Sequence, residues 1–397
     1  VNVLLVAHSF PRYAGDAAGA FLLSLARGQR ELGHEVVAVA PHAPGLPLAD
    51  DLDGVRVHRY RYAPDAAETL AYAGTMHEQV LRSWSARARL VALIAAARRA
   101  VRHATRTFRP DVIHVHWWFP GGLAVWPRPR GGPAVVLTSH GTDLFLLDRF
   151  PVARWLAGPV FRAADEVTVI STPLVARVQA LGVPSERITV VPMPLDAATF
   201  AATPERPRDR GLLLFAGRLV ERKGAEFALR AVAALRGAGR AVRLLVVGTG
   251  PERSRLERLA ATLGVENAVE FRGPVSPAEL AELYRRASAL LMPAVTDWKG
   301  EQEGFGMVLV EAMQCGLPVV ATRSGGIPDV VRDGATGLLV PERDPAALAR
   351  AVARLLDDPE LAARLARAAR TDVASRFAPA HIAHTFETIY RRAVRAS

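Results

Sequence analysis

The sequence predicts an α/β protein with two doubly wound domains, each built on a parallel sheet. Three observations predict it. Short apolar runs alternate with longer amphipathic stretches along almost the whole chain. The alternation is interrupted once, near residue 200, and then restarts. Glycine, histidine or another polar residue follows most apolar runs directly, as expected where strands end at a ligand-binding rim.

In the first half the expected strands are Val3–Ala7, Glu35–Ala40, Val55–Tyr60, Val112–Val115, Ala134–Thr138, Glu166–Ile170 and Ile188–Val191. Helical periodicity falls between several of them, notably over Ala17–Leu32, which stops at Gly33, and over Arg87–Phe108. The stretch Asp196–Arg210, with Pro204 and Pro207 and no apolar period, reads as a linker. In the second half strands are expected at Leu212–Ala216, Arg243–Val247, Ala268–Phe271, Ala289–Met292, Pro318–Ala321 and Gly337–Val340. Helices are expected at Ala225–Arg236, Pro251–Leu263, Pro277–Arg286, Met307–Cys315 and Pro345–Leu356. The domains are therefore drawn at 1–195 and 196–377. Two strand-end rims facing each other would make an interdomain cleft.

Composition narrows the class. Half of the 397 residues are hydrophobic, enough for packed cores and unlike a disordered or fibrous chain. No apolar run of about 18 residues appears, so no membrane-spanning helix is expected. The apolar start, Val1–Ala7, reads as a buried strand and not as a signal peptide. A single cysteine, Cys315, excludes an intramolecular disulfide and points to a reducing cytoplasm. The net charge of +11 suggests an anionic partner. Only Lys223 and Lys299 are lysines; the remaining basic residues are arginines, the bias of a GC-rich genome. That bias weakens the case for any one arginine and draws attention to the two lysines.

The segment Gln302–Glu311 carries the most chemistry. Gly304-Phe305-Gly306 opens directly into a helix, and amides at a helix N-terminus favour an anion such as a diphosphate. Glu303 can accept hydrogen bonds from sugar hydroxyls, and Glu311, about one and a half turns into the helix, can reach a ribose diol. A loop and helix with two solvated glutamates has the same spacing. After the first strand of the second half comes Gly217-Arg218-Leu219-Val220-Glu221-Arg222-Lys223-Gly224. Arg218 as a fork and Lys223 as a point charge can both face a pyrophosphate, although an ordinary basic loop reads similarly.

These segments resemble the retaining glycosyltransferases of family 4, which have the two-domain GT-B fold of Rossmann-like halves. The resemblance covers essentially the full length. Its most specific elements are the glutamate pair Glu303/Glu311, with seven residues between, and the Gly217-Arg218…Lys223-Gly224 segment. The resemblance implies that Arg218 and Lys223 bind the donor diphosphate and that Glu303 contacts the donor sugar. It implies that Phe305, Gly306, Met307 and Val308 line the diphosphate largely through backbone, and that Glu311 holds the ribose. The base is expected against Arg272-Gly273-Pro274-Val275, so Gly273 and Val275 join Gly217, Gly248, Gly250 and Gly304 as donor-binding positions. No metal or other cofactor is implied, since Arg and Lys take its place. Ser139-His140-Gly141-Thr142-Asp143 resembles the family's strand-end histidine, with His140 approaching the donor sugar. The loop Ser9–Asp16 resembles the Pro/Gly loop after the first strand, with Gly15 near the diphosphate; Ala14 departs from the commoner glycine pair. His116, Trp117, Trp118 and Asp143 are acceptor candidates, with core packing of the aromatics as the plain alternative. The last helix, 378–397, is expected to cross back to the first domain.

The implied reaction is transfer of a sugar from a UDP- or GDP-sugar to an acceptor hydroxyl with retention, in bacterial cell-envelope polysaccharide, glycolipid or other glycoconjugate synthesis. Rivals are a GT-B phosphorylase, a sugar-nucleotide epimerase, and a noncatalytic protein binding nucleotide or an anionic membrane. A dehydrogenase is disfavoured because the first strand leads to Pro11…Gly15 and not to Gly-X-Gly-X-X-Gly. Nucleic-acid binding lacks a motif. The membrane reading rests on Leu81–Arg106, which mixes Trp84, Leu90, Leu93 and Ile94 with arginines; a crossover helix with a solvated Arg face is the plainer account. Peripheral contact with the inner face of the plasma membrane is the corresponding localisation.

Overall fold

The computed structural model describes residues 1–72, 76–128, 131–195, 199–201 and 208–396. The expected linker at 196–210 lies mostly outside the described residues. The chain divides into two compact units, Val1–Pro194 with Pro379–Ser397, and Leu195–Ala378.

The first unit holds an eight-stranded sheet: β1 (Asn2–Val6), β2 (Glu35–Pro41), β3 (Ala49–Leu52), β4 (Val55–Tyr60), β5 (Val112–His116), β6 (Ala134–Ser139), β7 (Glu166–Val169) and β8 (Ile188–Val190). Their order is β3-β4-β2-β1-β5-β6-β7-β8, parallel except for β3 against β4. β3 is absent from the sequence reading. Ala-Asp-Asp-Leu lacks an apolar period, and the strand forms as an edge hairpin through Asp53 and Gly54, both with positive φ. Helix Ala20–Glu31 begins three residues later than the period suggests. Gly19, in the left-handed conformation, caps it, and a Cβ there would lie 2.7 Å from the Ser9 carbonyl.

Alternating residues of β1, β2, β5 and β6, among them Val3, Leu5, Val36, Val112 and Val136, face one side and pack on helices Ala20–Glu31 and Pro379–Ala396. The second of these buries Ile382, Phe386, Ile389 and Tyr390. Gly28 lets the two helices touch, since a Cβ there would sit 2.8 Å from the Pro379 carbonyl. Arg392 ties helix Pro379–Ala396 to β7 with a forked pair to Glu166 at 3.0 and 2.8 Å.

The second unit holds a six-stranded, all-parallel sheet: β9 (Leu212–Ala216), β10 (Arg243–Val247), β11 (Val269–Gly273), β12 (Ala289–Met292), β13 (Val319–Thr322) and β14 (Leu338–Val340). The order is β11-β10-β9-β12-β13-β14. Helix Pro277–Arg286 opens on a capping box of Ser276 and Glu279. Helix Pro345–Asp357 is followed by an additional one, Pro359–Arg376, that the sequence reading passes over. One residue separates them. Asp358 both ends the first and caps the second through the Leu361 amide, with Pro359 in the first turn, so the period continues while the axis turns.

Candidate active site

In an open parallel sheet, ligands collect where neighbouring strands send their connections to opposite sides. In the second unit that point lies between β9 and β12. The loop after β9 carries Gly217–Gly224 and the loop after β12 carries Glu303. Across the switch point Lys223 Nζ meets Glu303 Oε2 at 2.5 Å. A second rung, Arg222 Nη1 to Glu301 Oε2 at 3.0 Å, joins the same two loops. Glu303 is nearly buried. Burial alone would raise its pKa, but Lys223, Arg222 and the Phe305 amide together hold it below the ordinary carboxylate value.

The backbone around this pair is tightly packed. Gly224 has φ 69°, and a Cβ there would lie 1.8 Å from the Pro293 carbonyl. Gly325 has φ 51°, and its Cβ would lie 2.1 Å from the Glu303 carbonyl, which also accepts from the Gly326 amide at 2.9 Å. Gly325 and Gly326 follow β13. Sequence reasoning did not link them to Glu303; the glycine pair after a strand was the available signal.

Helix Met307–Gln314 starts at Gly306, with φ 96° and no side-chain cap. The amides of Met307 and Val308 thus sit at an uncapped helix start beside half-buried Gly304. The Phe305 side chain points inward, 5.7 Å from the Phe377 ring, so any ligand contact there falls to its backbone. Glu311 is half-buried and accepts from the Tyr284 hydroxyl at 3.0 Å. Tyr284 is fully buried, and nothing in the sequence marked it. Arg218 is exposed on the β9 loop, and a Cβ added at Gly217, which has φ 153°, would lie 3.8 Å from the Lys223 stem. Gly248 and Gly250 have a packing role in the second unit. Their missing side chains make room for the Gly217 and Leu219 carbonyls, at 2.0 and 2.3 Å from an added Cβ, so they seat the β9 loop. Gly273, with φ 86°, accepts from the Gly248 amide at 2.8 Å, and Val275 is half-buried beyond it.

In the first unit the switch point lies between β1 and β5. His8 follows β1 and Trp117 follows β5; their rings are 4.4 Å apart, and His140, after β6, lies 4.3 Å from Trp117. Buried His116 holds His140 through Nδ1 to Nε2 at 3.1 Å. His8 Nδ1, His116 Nε2 and His140 Nδ1 have no hydrogen-bond partner among the described residues. Below them, buried His114 is held at both ring nitrogens, Nδ1 by the Tyr390 hydroxyl and Nε2 by the Thr138 hydroxyl, each at 2.7 Å, and Gln29 donates to the same Tyr390 hydroxyl at 2.5 Å. Two acceptor candidates are corrected. Trp118 is buried and donates to the Asp143 carbonyl at 2.7 Å. The Asp143 carboxylate accepts from Ser139, the His140 amide and the Trp118 amide. Both side chains brace the rim and do not face it. Trp117, with φ 64°, and His116 are likewise packed in the ring cluster. Gly15 lies on an exposed loop anchored by the Arg12–Asp16 pair at 2.7 Å.

Burial lowers the pKa of His8 to about 4 and of His114 to about 3, and takes His116 and His140 well below 6.5, with neighbouring imidazoles adding to it. These rings are therefore neutral at pH 7. The unfolded chain takes up protons near pH 6.5 that the folded chain refuses, so this contribution is fully present above pH 6.5 and fades toward pH 4. Melting temperature should fall over that window. Imidazole resonances of His8 and His140 should not titrate above pH 5; a midpoint near 6.5 would contradict the buried placement.

Among the described residues, His42, Asp65 and Glu68 come close enough to share a metal ion. Both ring nitrogens of His42 are taken up, by Glu68 at 2.5 Å and the Leu46 carbonyl at 2.8 Å, and Arg61 pairs with Asp65. The group reads as a clasp between β2 and the loop after β4.

Comparisons with known proteins agree with the two units. Residues 17–194 match the Glycosyl transferase 4-like domain, and residues 197–372 match Glycosyl transferases group 1. A D-inositol 3-phosphate glycosyltransferase of Frankia alni is 34% identical over 89% of this chain and 90% of its own. A GDP-mannose-dependent alpha-(1-6)-phosphatidylinositol monomannoside mannosyltransferase of Mycolicibacterium smegmatis is 36% identical over 68% of this chain and 78% of its own. Anabaena Alr3699/HepE, solved in complex with UDP-glucose, superposes with a TM-score of 0.69 at 19% identity, over 98% of each chain. With two doubly wound parallel sheets and relatives of this kind, the chain belongs to the family 4 glycosyltransferases and has the GT-B fold.

Proposed function

We propose that this glycosyltransferase moves a sugar from a UDP- or GDP-sugar to an acceptor hydroxyl with retention, without a metal ion. The observation that carries the reading is the Lys223–Glu303 pair across the β9/β12 switch point, beside an uncapped helix start. The named donors of relatives, GDP-mannose and UDP-glucose, support the donor class.

In this reading the incoming diphosphate lies on the Met307 and Val308 amides and draws Lys223 toward it, with Arg218 as a second cation. Glu303, released from Lys223, then accepts from donor-sugar hydroxyls, and Glu311, steadied by Tyr284, takes the ribose. As the bond to phosphate breaks, charge grows on the diphosphate where cations and helix amides already point, so little reorganisation is needed. His140 is neutral, and its unpartnered Nδ1 is the atom available to orient a sugar hydroxyl. A donor phosphate oxygen takes the acceptor proton on the same sugar face, so no protein nucleophile is required.

A thermal-shift panel of UDP, GDP, ADP and their sugars, followed by hydrolysis of the stabilising donors, tests this. A UDP- or GDP-sugar should raise the melting temperature, EDTA should leave turnover unchanged, and the product should keep the donor's anomeric configuration. Inverted product, or turnover abolished by EDTA and restored by magnesium, would remove the proposal. Formation of a sugar phosphate or an epimerised nucleotide sugar would favour the phosphorylase or epimerase reading. The acceptor is expected among envelope polysaccharides, glycolipids or small polyols; the inositol phosphate and lipid named for relatives support that range.

A further inference from the structure

Two helices of the first unit carry large apolar side chains that are exposed among the described residues. Trp84, first residue of helix Trp84–Phe108, is 81% exposed, and Val91 on the same stripe is 68% exposed. Helix Pro151–Arg162 exposes Val152, Trp155 (82%) and Leu156, at i, i+3 and i+4 spacing and so on one face. An exposed tryptophan is ordinary once; two of them with aliphatic neighbours need a reason.

Both helices lie on the same side of the sheet. Strand residues Val115, Val135 and Leu137 point away from helix Pro379–Ala396 and line an apolar pocket with Trp126, Val160, Ala163 and Ala164. That seats helix Pro151–Arg162. Arg98 of the other helix donates to the Trp126 carbonyl at 2.8 Å, which seats it on the same side. Each helix runs back to the start of a parallel strand, β5 or β7, so both begin toward the carboxyl edge of the sheet. Trp84 and Trp155 therefore mark one side and one edge.

Within these two stretches of sequence the charge has one sign: no acidic residue occurs between Glu78 and Asp111 or between Asp148 and Asp165. Exposed Arg82, Arg87, Arg99, Arg102 and Arg154 accompany the apolar residues, and the Arg87 guanidinium lies 4.4 Å from the Trp84 ring centre. Leu93, by contrast, packs on the sheet, and Leu90 and Ile94 are half-buried, so the earlier apolar stripe of this helix is mostly core. Tryptophans among arginines with no carboxylate match a surface that is apolar inside and anionic outside. The described residues include no helix long and apolar enough to cross a membrane.

We propose that the start of helix Trp84–Phe108 and the outer face of helix Pro151–Arg162 together dock on an anionic lipid bilayer, with Trp84 and Trp155 at headgroup depth and the arginines on lipid phosphates. The proposal is independent of the donor-site reading, since neither helix holds a donor-site residue.

The test is co-sedimentation of the full chain with vesicles of phosphatidylglycerol and phosphatidylcholine, against phosphatidylcholine alone, with no nucleotide sugar present. Binding should require phosphatidylglycerol and weaken with salt. Trp84→Ser and Trp155→Ser should each reduce it, and the pair with Val152→Ser by at least about tenfold. The residues are exposed, so melting curves of the variants should match the parent. No binding to phosphatidylglycerol vesicles would overturn the proposal. So would binding that persists unchanged in the triple variant, which is adsorption of charge alone. Self-association that the same substitutions abolish, without vesicle binding, would assign the patch to a second copy and overturn it equally.

Discussion

Lys223→Ala is expected to reduce glycosyl transfer by about a hundred- to a thousandfold while the protein stays folded. Two losses combine. The proposed cation on the leaving diphosphate disappears, and Glu303, buried and 2.5 Å from the ammonium, is left without it. An uncompensated buried carboxylate protonates more readily, so the acid limb of the pH–rate profile should move upward in the variant. The same pair predicts a pH effect on the parent. Glu303 has a lowered pKa, so its stabilisation is present above the unfolded value near 4.3 and is lost as pH falls through the folded value. Lys223→Arg should recover part of the rate, since charge survives but the compact geometry does not. Turnover within about threefold of the parent in Lys223→Ala would remove the lysine from the chemistry.

Gly224→Ala should cost more than about 3 kcal/mol of stability. The residue holds φ 69°, where a side chain costs about 1–2 kcal/mol, and its Cβ would sit 1.8 Å from the Pro293 carbonyl. That neighbour is backbone, so relief requires the β9 and β12 loops to separate, and Lys223 and Glu303 ride on those loops. Activity should therefore fall even at temperatures where the variant is folded. Gly237→Ala, at the end of the same helix and with nothing within 4 Å, is the control. It should be neutral or stabilising by up to about 1 kcal/mol. Urea unfolding of both variants measures the contrast; equal midpoints would mean the two loops are not held as described.

Much of this was legible in the chain. Thirteen of the fourteen strands follow from the apolar pattern: central strands such as β1, β9 and β12 are buried on both faces and read as uninterrupted hydrophobic words, while β4 and β11 read as alternation. β3, an edge strand half in solvent, has no such word. At the proposed donor site the residues that the sequence marks are those whose type would matter to a ligand: Lys223, Glu303 and Glu311. Tyr284, and the packing of Gly325 and Gly326 against Glu303, were opaque because they act on other protein atoms, and no local spacing records a partner 27 residues away, as for Tyr284 and Glu311. The histidine rim shows the opposite error. Trp118 and Asp143 have the composition of a binding surface, yet each satisfies the other's buried polar groups.

The helix Pro379–Ala396 has a consequence for the order in which the molecule can be made. The first unit is assembled from both ends of the chain, whereas the second is one continuous stretch, Leu195–Ala378. On the ribosome the second unit can close as soon as it emerges. Residues 1–194 must wait, with Val3, Leu5 and Leu22 uncovered and the Gln29 amide and His114 ring lacking the Tyr390 hydroxyl, until the last helix arrives. A nascent chain stalled before Tyr390 would thus hold a finished second unit and an unsealed first one.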